Sequence, residues 1–242
     1  MFNVFTGVPA LAKVGAECNK YLKNAREIDR LRAAGDLEGE RELIRAKSGE
    51  WAVNLSDKLK ITYEIEGEEN IPESGPIVIV ANHQSLADAI ALFYLMRNHF
   101  QVGFISKDEW RKIAPLAHGI EYTRSIPLVR GDGRKALEAV QAAADLLKQG
   151  FSLIVFPEGT RSRGPEMNEF KPGAFKFAYK AHVPILPITL NGGYNLYEGT
   201  GNYHPCHIKI KIHPLVHTEQ MDRHEFNIAC AEIERTIEEG LE

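Results

Sequence analysis

Residues 77–88 read IVIVANHQSLAD, a run of aliphatic residues followed without a break by a polar segment. A strand that is buried on both faces has this continuous apolar character. Polar residues directly after such a strand come to the edge of the sheet where α/β proteins bind their ligands. We therefore predict that residues 77–81 form a central strand and that residues 82–88 include side chains that take part in catalysis or ligand binding.

The same pattern extends along the chain, because short apolar runs alternate with segments of helical periodicity. The predicted strands are 60–66, 77–81, 102–106, 126–129, 152–156, 185–190 and 207–213, and the predicted helices are 86–97, 108–117, 132–149, 173–181 and 222–239. This alternation predicts an α/β fold, a single layered domain with a mostly parallel sheet flanked by helices. Residues 207–213 alternate polar with apolar, which predicts an edge strand with one wet face.

The first 59 residues differ from the rest of the chain. Apolar residues at helical spacing on both sides of Gly35 predict a helical hairpin at about 10–34 and 37–59. We assign 1–59 to this hairpin and 60–242 to the α/β domain. Aromatic and aliphatic residues near the N-terminus, followed by lysines, are typical of an element that docks on a membrane surface. Packing of the hairpin on the sheet explains the same pattern.

Composition excludes several classes of protein. The 242 residues are 44% hydrophobic with a net charge of −4, and a nucleic-acid-binding protein would normally show a basic excess. No apolar stretch approaches the roughly 20 residues of a membrane span. The three cysteines form no CxxC pair and no signal peptide is visible, which favours a reducing, intracellular compartment.

The polar segment after the first buried strand contains a candidate general base. His83 follows the strand directly, and Asp88 lies five residues further on, in the first turn of the next helix. A carboxylate in that place can hydrogen-bond the imidazole, fix its tautomer and stabilise the imidazolium. Ser85 and Asp88 also have the spacing of a helix-capping box, in which Asp88 would only bind backbone. The residues alone leave both interpretations open.

Two further clusters indicate an anion site. Residues 156–163 read FPEGTRSR after another buried strand, and arginine suits phosphate because its planar fork forms two parallel hydrogen bonds. Lys107, Arg124 and Arg130 lie at the ends of two other strands and would add positive charge. Pairing of these cations with nearby carboxylates at the surface is the plainer alternative.

Four motifs, in order over residues 77–190, resemble those of the glycerolipid acyltransferase family. His83 and Asp88 match its His-x4-Asp motif, and FPEGTRS at 156–162 matches another residue for residue. IPLVR at 126–130 and VPILP at 183–187 are similar to the remaining two, although Val129 stands where phenylalanine or isoleucine is often found. Within the family the chain most resembles the bacterial 1-acyl-sn-glycerol-3-phosphate acyltransferases.

The resemblance implies transfer of an acyl chain from acyl-CoA or acyl carrier protein to the 2-hydroxyl of lysophosphatidic acid, giving phosphatidic acid. His83 would take the hydroxyl proton and Asp88 would orient the ring. The residues implied to bind the glycerol phosphate are Lys107, Arg130, Glu158, Gly159, Thr160 and Arg161. No metal or cofactor is implied, and we expect a peripheral position on the cytoplasmic face of the membrane, with no nucleic-acid partner.

Other functions remain open at this point. The acceptor could be glycerol 3-phosphate, another lysophospholipid or a lyso-ornithine lipid, and a non-catalytic lipid-binding module would keep the same pocket. GDGRKA at 131–136 fits a dinucleotide fingerprint, but the acidic residue expected about 20 positions later is missing. Five histidines and cysteines between His204 and His217 have no common zinc spacing. We expect neither a nicotinamide cofactor nor a metal.

Overall fold

A computed structural model describes residues 16, 17, 20, 25–112, 114–129, 131–171 and 173–241. Within these residues the strands are β1 (Ile61–Glu66), β2 (Val78–Ala81), β3 (Val102–Lys107), β4 (Ile126–Leu128), β5 (Ser152–Val155), β6 (Ile185–Asn191) and β7 (Cys206–Ile212). The α-helices are α1 (Ala25–Ala33), α2 (Leu37–Leu59), α3 (Ala87–Met96), α4 (Ala114–Tyr122), α5 (Gly133–Lys148), α6 (Lys176–Ala181) and α7 (Arg223–Glu239). Short 3-10 helices cover Glu68–Asn70, Asp108–Lys112 and Gly193–Leu196.

The described strands form one sheet in the order β1-β7-β6-β2-β5-β3-β4. Every neighbouring pair is parallel except β6 and β7. The predicted α/β class is therefore confirmed, and the predicted strand bounds agree to within one residue.

The prediction that the strand at 207–213 is an edge is wrong. β7 lies inside the sheet, parallel to β1 and antiparallel to β6. Its polar side chains are nevertheless exposed on one face, where Lys209 lies opposite Glu64 of β1. The alternating pattern thus indicates that one face of the strand is exposed to solvent. It does not indicate that the strand lies at an edge of the sheet.

Two predicted helices have different bounds. Residues 108–117 do not form one helix, because a 3-10 turn at Asp108–Lys112 precedes a separate helix, α4. Pro115 explains the break, since proline lacks the N–H that continues a helix and is accepted in its first turn. The helix expected at 173–181 begins only at Lys176, and Gly173 before it has a left-handed φ of +89°.

The sheet has an apolar core on each face, and β2 contributes to both. Ile79 and Ala81 pack with residues of α2 and α3, whereas Val78 and Val80 pack with residues of α5, α6 and α7. Because β2, β5 and β3 are adjacent and parallel, their carboxyl ends meet at the same edge of the sheet. The polar segments that follow these strands are therefore neighbours in space.

Part of the predicted hairpin lies outside the described residues, namely 1–15, 18, 19 and 21–24. The described remainder is helical as α1 and α2, and the Asp36 side chain caps α2 by accepting the Gly39 N–H at 2.9 Å. Ala52, Leu55 and Leu59 of α2 belong to the same core as β2 and α3. No helix among the described residues has the length and apolar character needed to cross a bilayer.

A buried carboxylate links this helical pair to the segment that precedes β4. Glu40 of α2 is fully buried and accepts hydrogen bonds from Arg124 Nε and Nη2, both at 2.7 Å, and from Arg32 Nε at 2.9 Å. Burial alone would raise the pKa of Glu40, but the hydrogen bonds from the two guanidinium groups outweigh it, and the pKa is lowered. Arg124 precedes β4, so it lies at the amino edge of the sheet and does not join the cations expected at the carboxyl edge.

Glu40→Ala leaves two guanidinium groups without their buried partner. We expect the free energy of unfolding to fall by about 3–5 kcal/mol, measured by urea denaturation. Folding lowers the Glu40 pKa, so the advantage of wild type over the variant is complete above about pH 4.3, the unfolded value, and shrinks as the pH falls below it.

Glu38→Ala, at an exposed position two residues away, is the matched control and should change the free energy by less than about 0.5 kcal/mol. Equal effects of the two substitutions would contradict the assigned role of Glu40.

Candidate active site

The chain leaves β2 through Asn82, which fastens the following loop to β6. Asn82 is fully buried; its Nδ2 donates to the Leu190 carbonyl at 2.8 Å and its Oδ1 accepts the Leu190 N–H at 2.7 Å. A side-chain amide that replaces one rung of a strand ladder in this way satisfies both backbone groups. The direction of the chain into His83 is thereby fixed.

His83 and Asp88 are in direct contact. The Nδ1 atom of His83 lies 2.8 Å from Asp88 Oδ2, and the same oxygen accepts the backbone N–H groups of Gln84 at 2.7 Å and Ser85 at 2.8 Å. The Asp88 side chain thus makes the contacts expected from both interpretations, since it lies against the imidazole and also accepts backbone N–H groups just before the start of α3. Because a carboxylate oxygen only accepts, the His83 ring donates through Nδ1 in this contact.

The Asp88 carboxylate is shielded from solvent, whereas its partner His83 is partly exposed. The carboxyl is fully buried, and burial raises the pKa of Asp88. The His83 ring and the two backbone N–H groups lower the pKa and offset only part of this effect. His83 keeps 16% of its side chain exposed, and no described protein group bonds its Nε2. Nε2 is therefore the ring atom that remains available to a substrate.

An aromatic ring supports the imidazole from the next strand. Phe156, directly after β5, stacks on His83 with ring centroids 4.0 Å apart and an interplanar angle of 11°. Phe104 of β3 stacks in turn on Phe156 at 5.8 Å. Stacking and the Asp88 hydrogen bond together leave the imidazole little freedom to rotate.

Glu158 lies behind the His83 loop. Its side chain is buried; Oε1 accepts the His83 backbone N–H at 2.5 Å, while Oε2 accepts the Asn168 N–H at 2.8 Å and Asn168 Nδ2 at 2.7 Å. Burial raises the pKa of Glu158, and these donors oppose the shift. Both oxygens are thus engaged with protein, so Glu158 links the two loops that face each other across the site.

The loop after Glu158 pairs with the His83 loop through its backbone. The Ser162 N–H donates to the His83 carbonyl at 2.8 Å, and the Arg163 N–H donates to the Gln84 carbonyl at 3.2 Å. Gly159 turns the chain with a left-handed φ of +67°. These contacts bring Gly159, Thr160 and Arg161 to the same sheet edge as His83.

The other two cations predicted at the phosphate site are Lys107 and Arg130. Lys107 ends β3, the strand beside β5, and so lies at the carboxyl edge with the other site residues. Arg130 lies outside the described residues.

Sequence reasoning missed two residues that contact the His83–Asp88 loop. Glu198 Oε2 accepts the Ser85 hydroxyl at 2.7 Å, and its Oε1 accepts the Leu86 N–H at 3.0 Å and Arg161 Nη1 at 2.7 Å. Gly193 lies so close that a Cβ atom there would be 2.6 Å from Asp88 Oδ1. Both come from the segment after β6, more than 100 residues along the chain, so no local motif could reveal them.

The alternative sites have structural explanations. Asp132 of the GDGRKA segment caps α5, accepting the Arg134 and Lys135 N–H groups at 3.1 Å each. In the late histidine cluster, His207 contacts Thr62 and His213 contacts Thr189. Among the described residues, no group of three or more potential ligands is arranged to hold a metal ion.

Gly193→Ala tests how tightly the dyad is packed. The added Cβ must push the Asp88 carboxylate or the chain after β6, and we expect the free energy of unfolding to fall by about 1–3 kcal/mol in urea denaturation. Gly119→Ala, in α4 with nothing within 4 Å of its Cβ position, should leave stability equal or raised. Wild-type stability of the Gly193 variant would mean that this contact can relax.

Comparisons with known proteins identify the family of this chain. A profile described as Acyltransferase matches residues 62–191, which contain both site loops. The chain is 34% identical over 183 residues to a chloroplastic 1-acyl-sn-glycerol-3-phosphate acyltransferase of Arabidopsis thaliana, covering 74% of this chain and 49% of that protein. It is 31% identical over 160 residues to the 1-acyl-sn-glycerol-3-phosphate acyltransferase of Pseudomonas aeruginosa, covering 66% of this chain and 61% of that one.

The crystal structure of the 1-acyl-sn-glycerophosphate acyltransferase PlsC from Thermotoga maritima superposes with a TM-score of 0.72 at 25% identity, covering 96% of each chain. The present chain spans about half the length of the first curated relatives it matches. The profile match extends over more than half of the chain and includes the His83–Asp88 pair and the FPEGTRS loop. This protein therefore belongs to the Acyltransferase family.

Proposed function

We propose that this protein is a 1-acyl-sn-glycerol-3-phosphate O-acyltransferase, which moves an acyl chain from acyl-CoA or acyl carrier protein to the 2-hydroxyl of lysophosphatidic acid. The observation that carries the proposal is the His83–Asp88 pair, in which no described residue bonds Nε2, at the same sheet edge as the loop that contains Arg161. The names of the plant and bacterial relatives and of the Thermotoga structure support this acceptor.

His83 acts as the general base. Its Nε2 takes the proton of the 2-hydroxyl while the hydroxyl oxygen bonds to the carbonyl carbon of the thioester, forming a tetrahedral intermediate. The carbon–sulfur bond then breaks, and His83 returns the proton to the sulfur, which leaves as a thiol. Asp88 holds the ring and stabilises the imidazolium between these two steps.

The acceptor phosphate binds on the FPEGTRS side of the site. Arg161 supplies a guanidinium, and Gly159 and Thr160 lie on the same turn. Lys107 at the end of β3 and Arg130 after β4 are proposed as further phosphate partners. Glu158 contributes indirectly, since it holds the His83 backbone and the Asn168 loop in place.

Because the proposed substrates are lipids, we expect the protein to bind peripherally to the cytoplasmic face of the membrane. The helical pair, with its N-terminal extension, is proposed as one docking element. Leu86 and Tyr197, which are 40% and 39% exposed, flank the residues around Arg161 and add apolar surface beside the site.

The proposal is tested by thiol release from palmitoyl-CoA or acyl carrier protein in the presence of lysophosphatidic acid. We expect phosphatidic acid from wild type and a loss of about 10²–10⁴-fold in His83→Ala, because the general base is removed. His217→Ala, an exposed histidine paired with Glu219 beyond the amino end of β6, should remain active.

Absence of thiol release from wild type with both donors would refute lysophosphatidic acid as the acceptor. Glycerol 3-phosphate, other lysophospholipids and lyso-ornithine lipid would then be compared in the same assay. Full activity in His83→Ala would refute the general-base role.

Membrane docking is tested by co-sedimentation with phosphatidylcholine vesicles that contain phosphatidic acid. A Leu86→Asp/Tyr197→Asp double variant should bind several-fold less than wild type, because two charges replace apolar surface. Ile228→Asp, at an apolar position of α7 that is 48% exposed and lies near the opposite edge of the sheet, should bind like wild type. Equal loss in both variants would contradict docking through the site edge.

A further inference from the structure

Glu198 occupies a buried position between the two halves of the site. Its side chain is 5% exposed, and its two oxygens accept three hydrogen bonds, from Ser85 Oγ, the Leu86 N–H and Arg161 Nη1. It lies outside all four sequence motifs, in the segment that follows β6. A buried carboxylate with this many charged and polar partners fixes the position of each of them.

The first of these effects falls on Arg161. The Arg161 side chain is 23% exposed, and Glu198 holds it through Nη1 at 2.7 Å. Among the described residues no protein acceptor contacts its Nε or Nη2. One corner of the guanidinium is therefore anchored while another edge stays open for a second, bidentate partner, and phosphate oxygens match that edge.

The second effect falls on the start of α3. Glu198 accepts the Ser85 hydroxyl at 2.7 Å, and the same hydroxyl oxygen accepts the Ala87 N–H at 3.0 Å. Asp88, the partner of the His83 ring, lies in the turn that these bonds organise. Glu198 thus connects the guanidinium to the same turn that orients the base.

We propose that Glu198 is a positioning residue for the acceptor: it holds the Arg161 guanidinium at a fixed distance from His83, so that an acceptor whose phosphate binds Arg161 presents its hydroxyl to Nε2. This inference rests on the proposed function. Glu198 touches no reacting atom in this arrangement and acts through Arg161. Its removal should therefore weaken binding of the phosphorylated acceptor and leave the chemistry and the acyl donor largely unaffected.

Steady-state kinetics of Glu198→Gln, Arg161→Ala and the double variant test this assignment. Glu198→Gln should raise the KM for lysophosphatidic acid about tenfold, the loss expected for one charge-assisted hydrogen bond, with kcat and the KM for palmitoyl-CoA near wild type. Arg161→Ala should raise the same KM further. The double variant should match Arg161→Ala alone, because Glu198 acts through that side chain.

The matched control is Glu64→Gln, which removes an exposed carboxylate paired with Lys209 and His207 on the uncovered face of the sheet. It should behave as wild type. Independent, additive effects of Glu198→Gln and Arg161→Ala would overturn the proposal, since they would indicate a purely structural role at the α3 start. A lower KM in Glu198→Gln would also overturn it, because Glu198 would then compete with the phosphate.

Two further experiments apply if a variant does not fold or if the proposed activity is absent. If Glu198→Gln does not fold, Glu198→Asp keeps the charge but shortens the reach to Arg161, and it should raise the same KM. If wild type does not acylate lysophosphatidic acid, the proposed function fails, and glycerol 3-phosphate serves as a binding probe in thermal unfolding. The Tm increase it gives wild type should be reduced in Glu198→Gln, and equal increases would overturn the role of Glu198 by itself.

Discussion

The Oδ2 atom of Asp88 accepts the His83 ring N–H and the backbone N–H groups of Gln84 and Ser85, and the chain between β2 and α3 takes its path around this one oxygen. A strand that ends in a buried core must turn before a helix can begin, and its N–H groups need acceptors as it does so. The carboxylate satisfies them and the imidazole together. The path of the chain and the orientation of the imidazole thus depend on the same atom.

Two other buried carboxylates repeat this arrangement on either side. Glu158 holds the His83 backbone to the Asn168 loop, and Glu198 holds the α3 start to Arg161. Burying three carboxylates near one imidazole is unfavourable unless each receives several N–H donors. The loops of the site are therefore shaped around these acceptors, which explains why they pair closely although they come from distant parts of the chain.

The fold was predictable from sequence because each strand is a short apolar run between helical segments, and hydrophobic periodicity reports this directly. Neighbours in the sheet are not encoded in that periodicity, so β7 was expected at an edge and lies instead between β1 and β6. His83 and Asp88 could be found because they are close in sequence. Glu198 and Gly193 could not, since their role arises only when the end of β6 meets the α3 start.

The parallel stacking of Phe156 on His83 has a consequence for spectroscopy. An aromatic ring whose centroid lies 4.0 Å from the imidazole centroid, tilted by 11°, places the imidazole protons in the shielding region of its ring current. His83 should therefore give proton resonances displaced upfield, and by more than those of His118, whose ring centroid lies 6.0 Å from that of Tyr122. The chemical shifts of these protons should therefore report changes around the imidazole without any added probe.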